Sequence, residues 1–256
     1  MLSDLTAGAL ADAAARREFV SFAEVETAAL AQSPALNALE FLAPADRIKV
    51  IAEVKRASPS RGDLAAIADP AALARTYAAN GASTISVLTE GRKFKGTLED
   101  LRAVRAEVSV PVLRKDFIAE KYQILEARAA GADLVLLIVA ALEQDLLAEL
   151  NEFALSLGLT VLVETHSREE LHRALDIDAK LIGVNARNLS TFELDRELFA
   201  SLVGEIPAGV IKVAESAVRN ATDVQHYRDA GADVVLVGEA LVTSDPAATL
   251  QSFLAV

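Results

Sequence analysis

Carboxylates, lysines and an amide recur at the ends of apolar runs in this chain. Glu53 and Lys55 close the run IKVIAEVK, Lys115 and Asp116 close VPVLRKD, and Glu164 and His166 close TVLVETH. Asn185 and Arg187 close LIGVNAR, Glu215 and Ser216 close IKVAES, and Gly238 and Glu239 fall in VVLVGEAL. In an extended strand residues i and i+2 share a face, which puts Glu53 beside Lys55 and Asn185 beside Arg187. If those faces converge, two lysines, two or three carboxylates and an amide meet in one cavity. Burial and mutual charge would shift and couple their pKa values, which suits proton transfer near neutral pH. One charged strand end is more simply a solvated residue feeding a surface loop; the same pattern at six strand ends argues for a site.

Ser216-Ala217 and Gly238-Glu239 offer small residues and free backbone N–H groups, the material of a phosphate site, although Gly238 also reads as a plain turn residue. Phe94 reads either as a ring stacking on an aromatic substrate or as loop packing. The three histidines are His166, His172 and His226. Glu164 and His166 lack a third histidine at ligand spacing, so no metal is expected. His172 and His226 fall in expected helices and read as surface residues. No Gly-x-Gly-x-x-Gly or phosphate-loop pattern follows any run, and no cofactor is expected.

The elements that must position these residues repeat along the chain. Apolar, β-branched runs begin near Ile48, Ser83, Val110, Leu134, Thr160, Leu181, Ile211 and Val234, at steps of 21 to 35 residues. Each step accommodates one strand and one helix, and near-continuous apolar runs are what strands buried on both faces show. Asp69-Pro70 and Asp245-Pro246 are helix starts, Ser167–Glu170 reads as a capping box, and Gly81, Gly131, Gly158 and Gly231 are helix stops. The phrases NGASTISVL, AGADLVLLI and AGADVVLVG mark the same helix-to-strand junction three times. Eight such units predict a parallel sheet. Closed, it is a (β/α)8 barrel of the TIM type; open, it is a doubly wound sheet. The count of eight and the length of 256 residues favour the barrel, as one domain over 1–256.

Residues 1–47 precede the barrel, which spans 48–256, and read as two short helices. Ser21–Glu24 forms a capping box, with Val20 and Val25 placed as a hydrophobic staple. Leu30, Leu36 and Leu39 are expected to bury a face. The segment is either a stabilising plug or a wall of the site, depending on which barrel end it covers.

The composition limits the function classes. No apolar run approaches the ~20 residues of a membrane span, and the N-terminus carries Asp4 and no signal pattern. The absence of cysteine excludes disulfides, thiolate metal sites and a cysteine nucleophile, and fits a reducing cytoplasm. A net charge of −12 argues against nucleic acid as a partner but leaves room for one local basic cleft.

The segments IAEVKRASPSRG (51–62), ISVLTEGRKFKG (85–96), PVLRKDF (111–117), VLVETH (161–166), IGVNARNL (182–189), VAESAV (213–218) and VLVGEAL (235–241) closely resemble indole-3-glycerol phosphate synthases. The resemblance runs through all eight strands and the N-terminal extension. It implies a cofactor-free carboxy-lyase of tryptophan biosynthesis. Such an enzyme closes the ring of 1-(2-carboxyphenylamino)-1-deoxyribulose 5-phosphate, expels carbon dioxide and removes water. It further implies that Lys115 is the general acid on the ribulose carbonyl and that Glu164 moves protons in ring closure and dehydration. Lys55 would contact the anionic substrate and donate a proton later, with Glu53 tuning the lysines and Asn185 holding a substrate oxygen. Ser58, Phe94, Phe117, Arg187 and Glu215 would line the substrate. The backbones at Ser216, Ala217, Gly238 and Glu239 would take the phosphate. The extension would lie across the catalytic end. The expected protein is a monomer, with association to pathway enzymes left open.

One departure stands out. The family has glycine where this chain has Ala217. Alanine keeps the N–H but restricts φ, so a positive φ there would store strain of about 1 kcal/mol or more. Two other readings of the residues stand beside the resemblance: a Schiff-base aldolase using Lys115 or Lys55, and a non-catalytic barrel kept as a binding module.

Overall fold

The computed structural model describes residues 1–188, 191 and 193–256; Leu189, the last residue of the IGVNARNL motif, lies outside the described residues. Eight strands form the sheet: β1 (Lys49–Val54), β2 (Thr84–Leu88), β3 (Val112–Lys115), β4 (Leu134–Ile138), β5 (Thr160–Thr165), β6 (Leu181–Asn185), β7 (Ile211–Glu215) and β8 (Val234–Val237). All neighbours are parallel, and β1 pairs with both β2 and β8, which closes the barrel. Every observed start lies within two residues of the start read from the sequence.

The period of two sorts the strand side chains into two cores. On β4, Leu134, Leu136 and Ile138 point into the barrel, while Val135 and Leu137 face the helices. The helical layer is punctuated as expected. Asp69 and Asp245 each cap a helix with proline in its first turn, and Gly81, Gly131, Gly158 and Gly231 have positive φ. Ser167 accepts from the Glu170 amide, but the other half of that capping box is absent. The Glu170 carboxylate accepts instead from the backbone N–H of His166, one residue earlier (2.8 Å).

The extension holds three helices rather than two: α1 (Leu2–Arg17), α2 (Phe22–Leu30) and α3 (Ala38–Leu42). Its alanine content makes α1 a helix of 16 residues despite a weak apolar stripe. α1 stands at the end of the barrel where the strands finish. Its Asp12 pairs with Arg92 in the loop after β2, and Arg16 makes a bidentate pair with Glu126. α3 lies at the opposite end, where Ala38 and Leu42 join the starts of β4, β6 and β8 in one cluster. The plug and the catalytic-end helix are therefore different parts of one segment. Leu2, Leu5, Val25 and Leu42 carry its burial, not Leu30, which is 68% exposed, and Leu36 and Leu39 are only half-buried. Ser21 and Glu24 form the expected capping box, but Val20 stays exposed and only Val25 is buried.

Candidate active site

On most strands the last inward position is polar. Ile51 is followed inward by Glu53, Leu113 by Lys115, Leu162 by Glu164, Gly183 by Asn185 and Val213 by Glu215. The apolar part of each strand fills the barrel floor, and the polar residue meets its counterparts above it. They line a cavity of about 740 Å³ together with Lys55, Ser58, Phe94, Phe117, Arg187, Ser216, Ala217, Gly238 and Glu239. All fourteen residues that the sequence assigned to catalysis or substrate contact thus border one cavity, at the strand ends where barrel enzymes hold their sites.

Lys115 is the hub. Its Nζ donates to Glu164 Oε2 at 3.0 Å and stands 3.5 Å from Glu215 Oε2, with all three side chains largely or fully buried. Burial alone would lower the lysine's pKa, but Glu164, Glu215 and Glu53 outweigh it and hold the ammonium well above its usual range. Burial would raise Glu164, yet Lys115, His166 and Asn185 together hold it well below the usual carboxylate range. Glu215 goes the other way: burial first, then repulsion from Glu164, push it up to about 8 against the pull of Lys115. The two carboxylates beside Lys115 are thus pushed apart, Glu164 toward the ionised form and Glu215 toward the protonated one.

Lys55 forms a second pair with Glu53 (2.8 Å), and Ser86 of β2 donates to the other Glu53 oxygen (3.3 Å). Gly238 makes room for this pair. A Cβ there would stand 3.0 Å from Lys55 Nζ and overlap Glu53 Oε1, so Gly238 is more than a turn residue. Gly183 serves Glu215 in the same way, because a Cβ at 183 would overlap Glu215 Oε1.

Asn185 is engaged at both ends. Its Nδ2 donates to Glu164 Oε1 (3.1 Å), and its Oδ1 accepts from Ser216 Oγ (2.7 Å) and from the Arg187 amide (3.0 Å). It brackets a base candidate to the start of the loop after β7. In that loop Ser216 and Ala217 have φ of 68° and 58°, so both sit in the left-handed region. The expected strain at Ala217 is present, with a second strained residue before it.

The rings of Phe94 and Phe117 meet at 6.0 Å between centroids and form an apolar wall opposite the small residues of the β7 and β8 loops. Glu90, a residue not singled out in the sequence, fixes Phe94. Its buried carboxylate accepts from the amides of Arg92, Lys93 and Phe94 at 2.7–2.9 Å. Four residues on, Phe94 is still within reach of a side chain folding back on its own loop, but an isolated acid in a polar stretch does not announce this. Arg61 was also missed. It pairs with Glu239 (2.9 Å), tying the loop after β1 to the loop after β8 and neutralising a carboxylate beside the small-residue rim. Asp116 was grouped with Lys115 in the sequence, but its carboxylate is occupied by Arg114, Thr89 and the Phe117 amide.

Comparison with known proteins is specific. The family model for indole-3-glycerol phosphate synthase matches residues 2–253. A protein of that name from Leifsonia xyli subsp. xyli is 68% identical over 253 residues, covering 99% of this chain and 97% of that protein. One from Beutenbergia cavernae is 58% identical, over 95% of this chain and 90% of that protein. Among solved structures, a thiamine phosphate pyrophosphorylase from Pyrococcus furiosus superposes with a TM-score of 0.61 over 80% of this chain and 93% of that one. Its 15% identity speaks to the barrel fold alone. The closed barrel and the full-length match together establish that the chain belongs to the indole-3-glycerol phosphate synthase family.

Proposed function

We propose that the cavity converts 1-(2-carboxyphenylamino)-1-deoxyribulose 5-phosphate to indole-3-glycerol phosphate, carbon dioxide and water. The observation that carries this reading is the buried Lys115–Glu164 pair standing beside an aromatic wall. A carbonyl attacked by a weak carbon nucleophile needs a positioned acid, and the Lys115 ammonium is a proton donor fixed by two carboxylates. Its positive charge also faces the oxyanion side of ring closure. Loss of carbon dioxide from the attacking ring carbon restores aromaticity, and Glu164, held ionised, then takes the proton from the carbon next to nitrogen in the new ring as the hydroxyl leaves as water. Lys55, paired with Glu53, meets the substrate carboxylate and serves the later proton transfer.

The anthranilate ring lies against Phe94 and Phe117, and Arg187 and Ser58 face its anionic groups. The backbone N–H groups at Ser216, Ala217, Gly238 and Glu239 hold the phosphate. Phosphate at one rim and the aromatic ring at the other fold a flexible substrate so that ring carbon meets carbonyl. Orientation of this kind is worth up to ~7–11 kcal/mol. The absence of cysteine fits a reducing, cytoplasmic site of action. Among the described residues no helix is long and apolar enough to cross a membrane.

A Schiff-base aldolase would need a neutral lysine amine. The carboxylates that keep Lys115 charged oppose that reading. The test uses a property of the chain: it has no tryptophan. Mixing protein with substrate should give indole emission to which no tryptophan of the chain contributes, and borohydride should trap no adduct. Lys115→Met should lower kcat by roughly 10²–10⁴, the range for loss of a general acid. A trapped adduct, or a Lys115→Met protein with wild-type kcat, would remove the assignment.

A further inference from the structure

Glu164 and Glu215 flank Lys115 almost symmetrically, at 3.0 and 3.5 Å, and both are buried. Two carboxylates around one ammonium leave an excess buried negative charge, which one proton relieves. Which carboxylate takes that proton is decided by what else touches each. Glu215 Oε1 has no hydrogen-bond partner. Glu164 Oε1 accepts from Asn185 and stands 3.1 Å from Nε2 of His166.

His166 does not line the cavity; it stands behind Glu164. Its Nδ1 lies 3.0 Å from Glu170 Oε2, the same oxygen that accepts the His166 backbone N–H. Glu170 is itself fixed in the first turn of the next helix by Ser167. The ring is thus hydrogen-bonded to one carboxylate, while its Nε2 lies 3.1 Å from Glu164 Oε1 in a contact of charge without an aligned hydrogen bond. A neutral imidazole in this place would turn a lone pair toward one of the two, whereas the imidazolium sets a positive charge between them. Burial opposes the charge, but Glu164 and Glu170 outweigh it and raise the ring's pKa to about 10. The charged groups bearing on His166 are Glu164 from its own strand and Glu170 from the following helix. Those bearing on the carboxylate pair are Lys115 from β3, Glu53 from β1 and His166 itself.

We infer that His166, held by Glu170, is a positioning residue that fixes Glu164 as the ionised carboxylate beside Lys115 and leaves Glu215 as the one that carries the proton. A relay from His166 into the site is disfavoured by the same contacts, since the imidazolium holds its proton and Glu164 resists taking one. His166 acts by holding charge. The inference rests on the proposed role of Glu164 and adds what selects it over Glu215.

The test combines nitrogen-15 NMR of the imidazoles with pH profiles of His166→Gln and Glu170→Gln. With three histidines in the chain, assignment needs one variant. Wild-type His166 should remain doubly protonated above pH 8. In His166→Gln the proton is shared between Glu164 and Glu215, so kcat/KM should fall about tenfold at pH 7 and recover toward pH 9, while KM changes by less than about twofold. Glu170→Gln should do the same to a smaller extent and lower the His166 pKa. A His166 that titrates at or below pH 7, or a Glu170→Gln profile that overlays the wild type, overturns the inference even if His166→Gln fails to fold. Glu164→Gln separates the two claims. If it keeps wild-type activity, the proposed role of Glu164 fails. If it is inactive while the histidine results are negative, only the present inference fails.

Discussion

Ala217 stands where the resemblance leads one to expect glycine, and its backbone makes the consequence calculable. Its φ of 58° follows a Ser216 φ of 68°. An L-residue in the left-handed region costs about 1–2 kcal/mol, and glycine at 217 would remove most of that. The substitution also loosens the unfolded chain, which costs about 0.4–1 kcal/mol. The difference is a stabilisation of between about 0 and 1.5 kcal/mol for Ala217→Gly. In a chain of 256 residues each kilocalorie moves Tm by about 2–4 °C. Tm should therefore stay level or rise by up to about 6 °C.

Ala217→Val places a β-branched side chain at the same φ and should melt below the wild type. Calorimetric melts of the three proteins, with inhibition by inorganic phosphate measured beside them, make the assay. Phosphate should bind the glycine variant at least as well as the wild type, because the N–H is kept and the loop relaxes. A glycine variant melting several degrees below the wild type, or a valine variant equal to it, would refute the reasoning from strain.

Two further perturbations follow from contacts in the structure. Gly183→Ala puts a methyl group where Glu215 Oε1 lies, so the carboxylate must leave Lys115 or the strand must move. Overpacking costs about 1–3 kcal/mol, and we expect kcat to fall with the melt only modestly lowered; unchanged kinetics would show that Glu215 has room elsewhere and no role where it stands. Deleting residues 1–20 removes α1 with Leu2, Leu5, Asp12 and Arg16. Each leucine contributes roughly 1.5–3 kcal/mol on burial, so the melt should fall while α3 still closes the far end. Because Asp12 braces the loop that carries Phe94, kcat should fall and KM rise together; a lower melt with both constants held at a temperature where the protein stays folded would make α1 a stabiliser only.

The barrel was legible because its signals are local. A β-branched run, a cap, a glycine stop and a strand start each lie within a few residues of one another, and repetition averages out the errors. The polar cluster was legible for a related reason. The period of two assigns Glu53, Lys115, Glu164, Asn185 and Glu215 to the inward face without knowledge of any neighbour. What the sequence hid depends on partners far apart in the chain or on competition between near ones. Glu170 reads as the second half of a capping box with Ser167, yet the adjacent imidazole and its amide win its carboxylate. Arg114 sits one residue from Lys115 in a run that looks like a charged strand end, and nothing local shows that its guanidinium is fully buried. Leu30 satisfies the helical apolar pattern and still faces solvent, because α2 packs against its neighbour helix through Val25 and Ala29.

Arg114 shows why the strand carrying Lys115 is the fixed point of the site. Alternation turns Lys115 inward and its neighbours Arg114 and Asp116 outward, into the layer between sheet and helices. There Arg114 bonds Asp116 (2.9 Å), Thr89 (3.1 Å) and the Gln123 carbonyl (2.6 Å), and it stands 3.4 Å from Glu126. A guanidinium that is 1% exposed can be held only by such a set of partners, since a buried charge without them costs several kcal/mol. Glu126 in turn is held by Arg16 of α1. The outward face of β3 is therefore tied to the end of β2, to the next helix and, through that helix, to the extension, while its inward face carries the acid. Moving Lys115 relative to Glu164 would mean breaking the outward network first. The small residues of the β7 and β8 loops are held differently: two left-handed residues and a glycine shape them, with Ser216 bonded to Asn185 below and Arg61–Glu239 across the top. The buried ion network thus stands behind the strand of the proposed acid, and the strained backbone lies at the proposed phosphate rim.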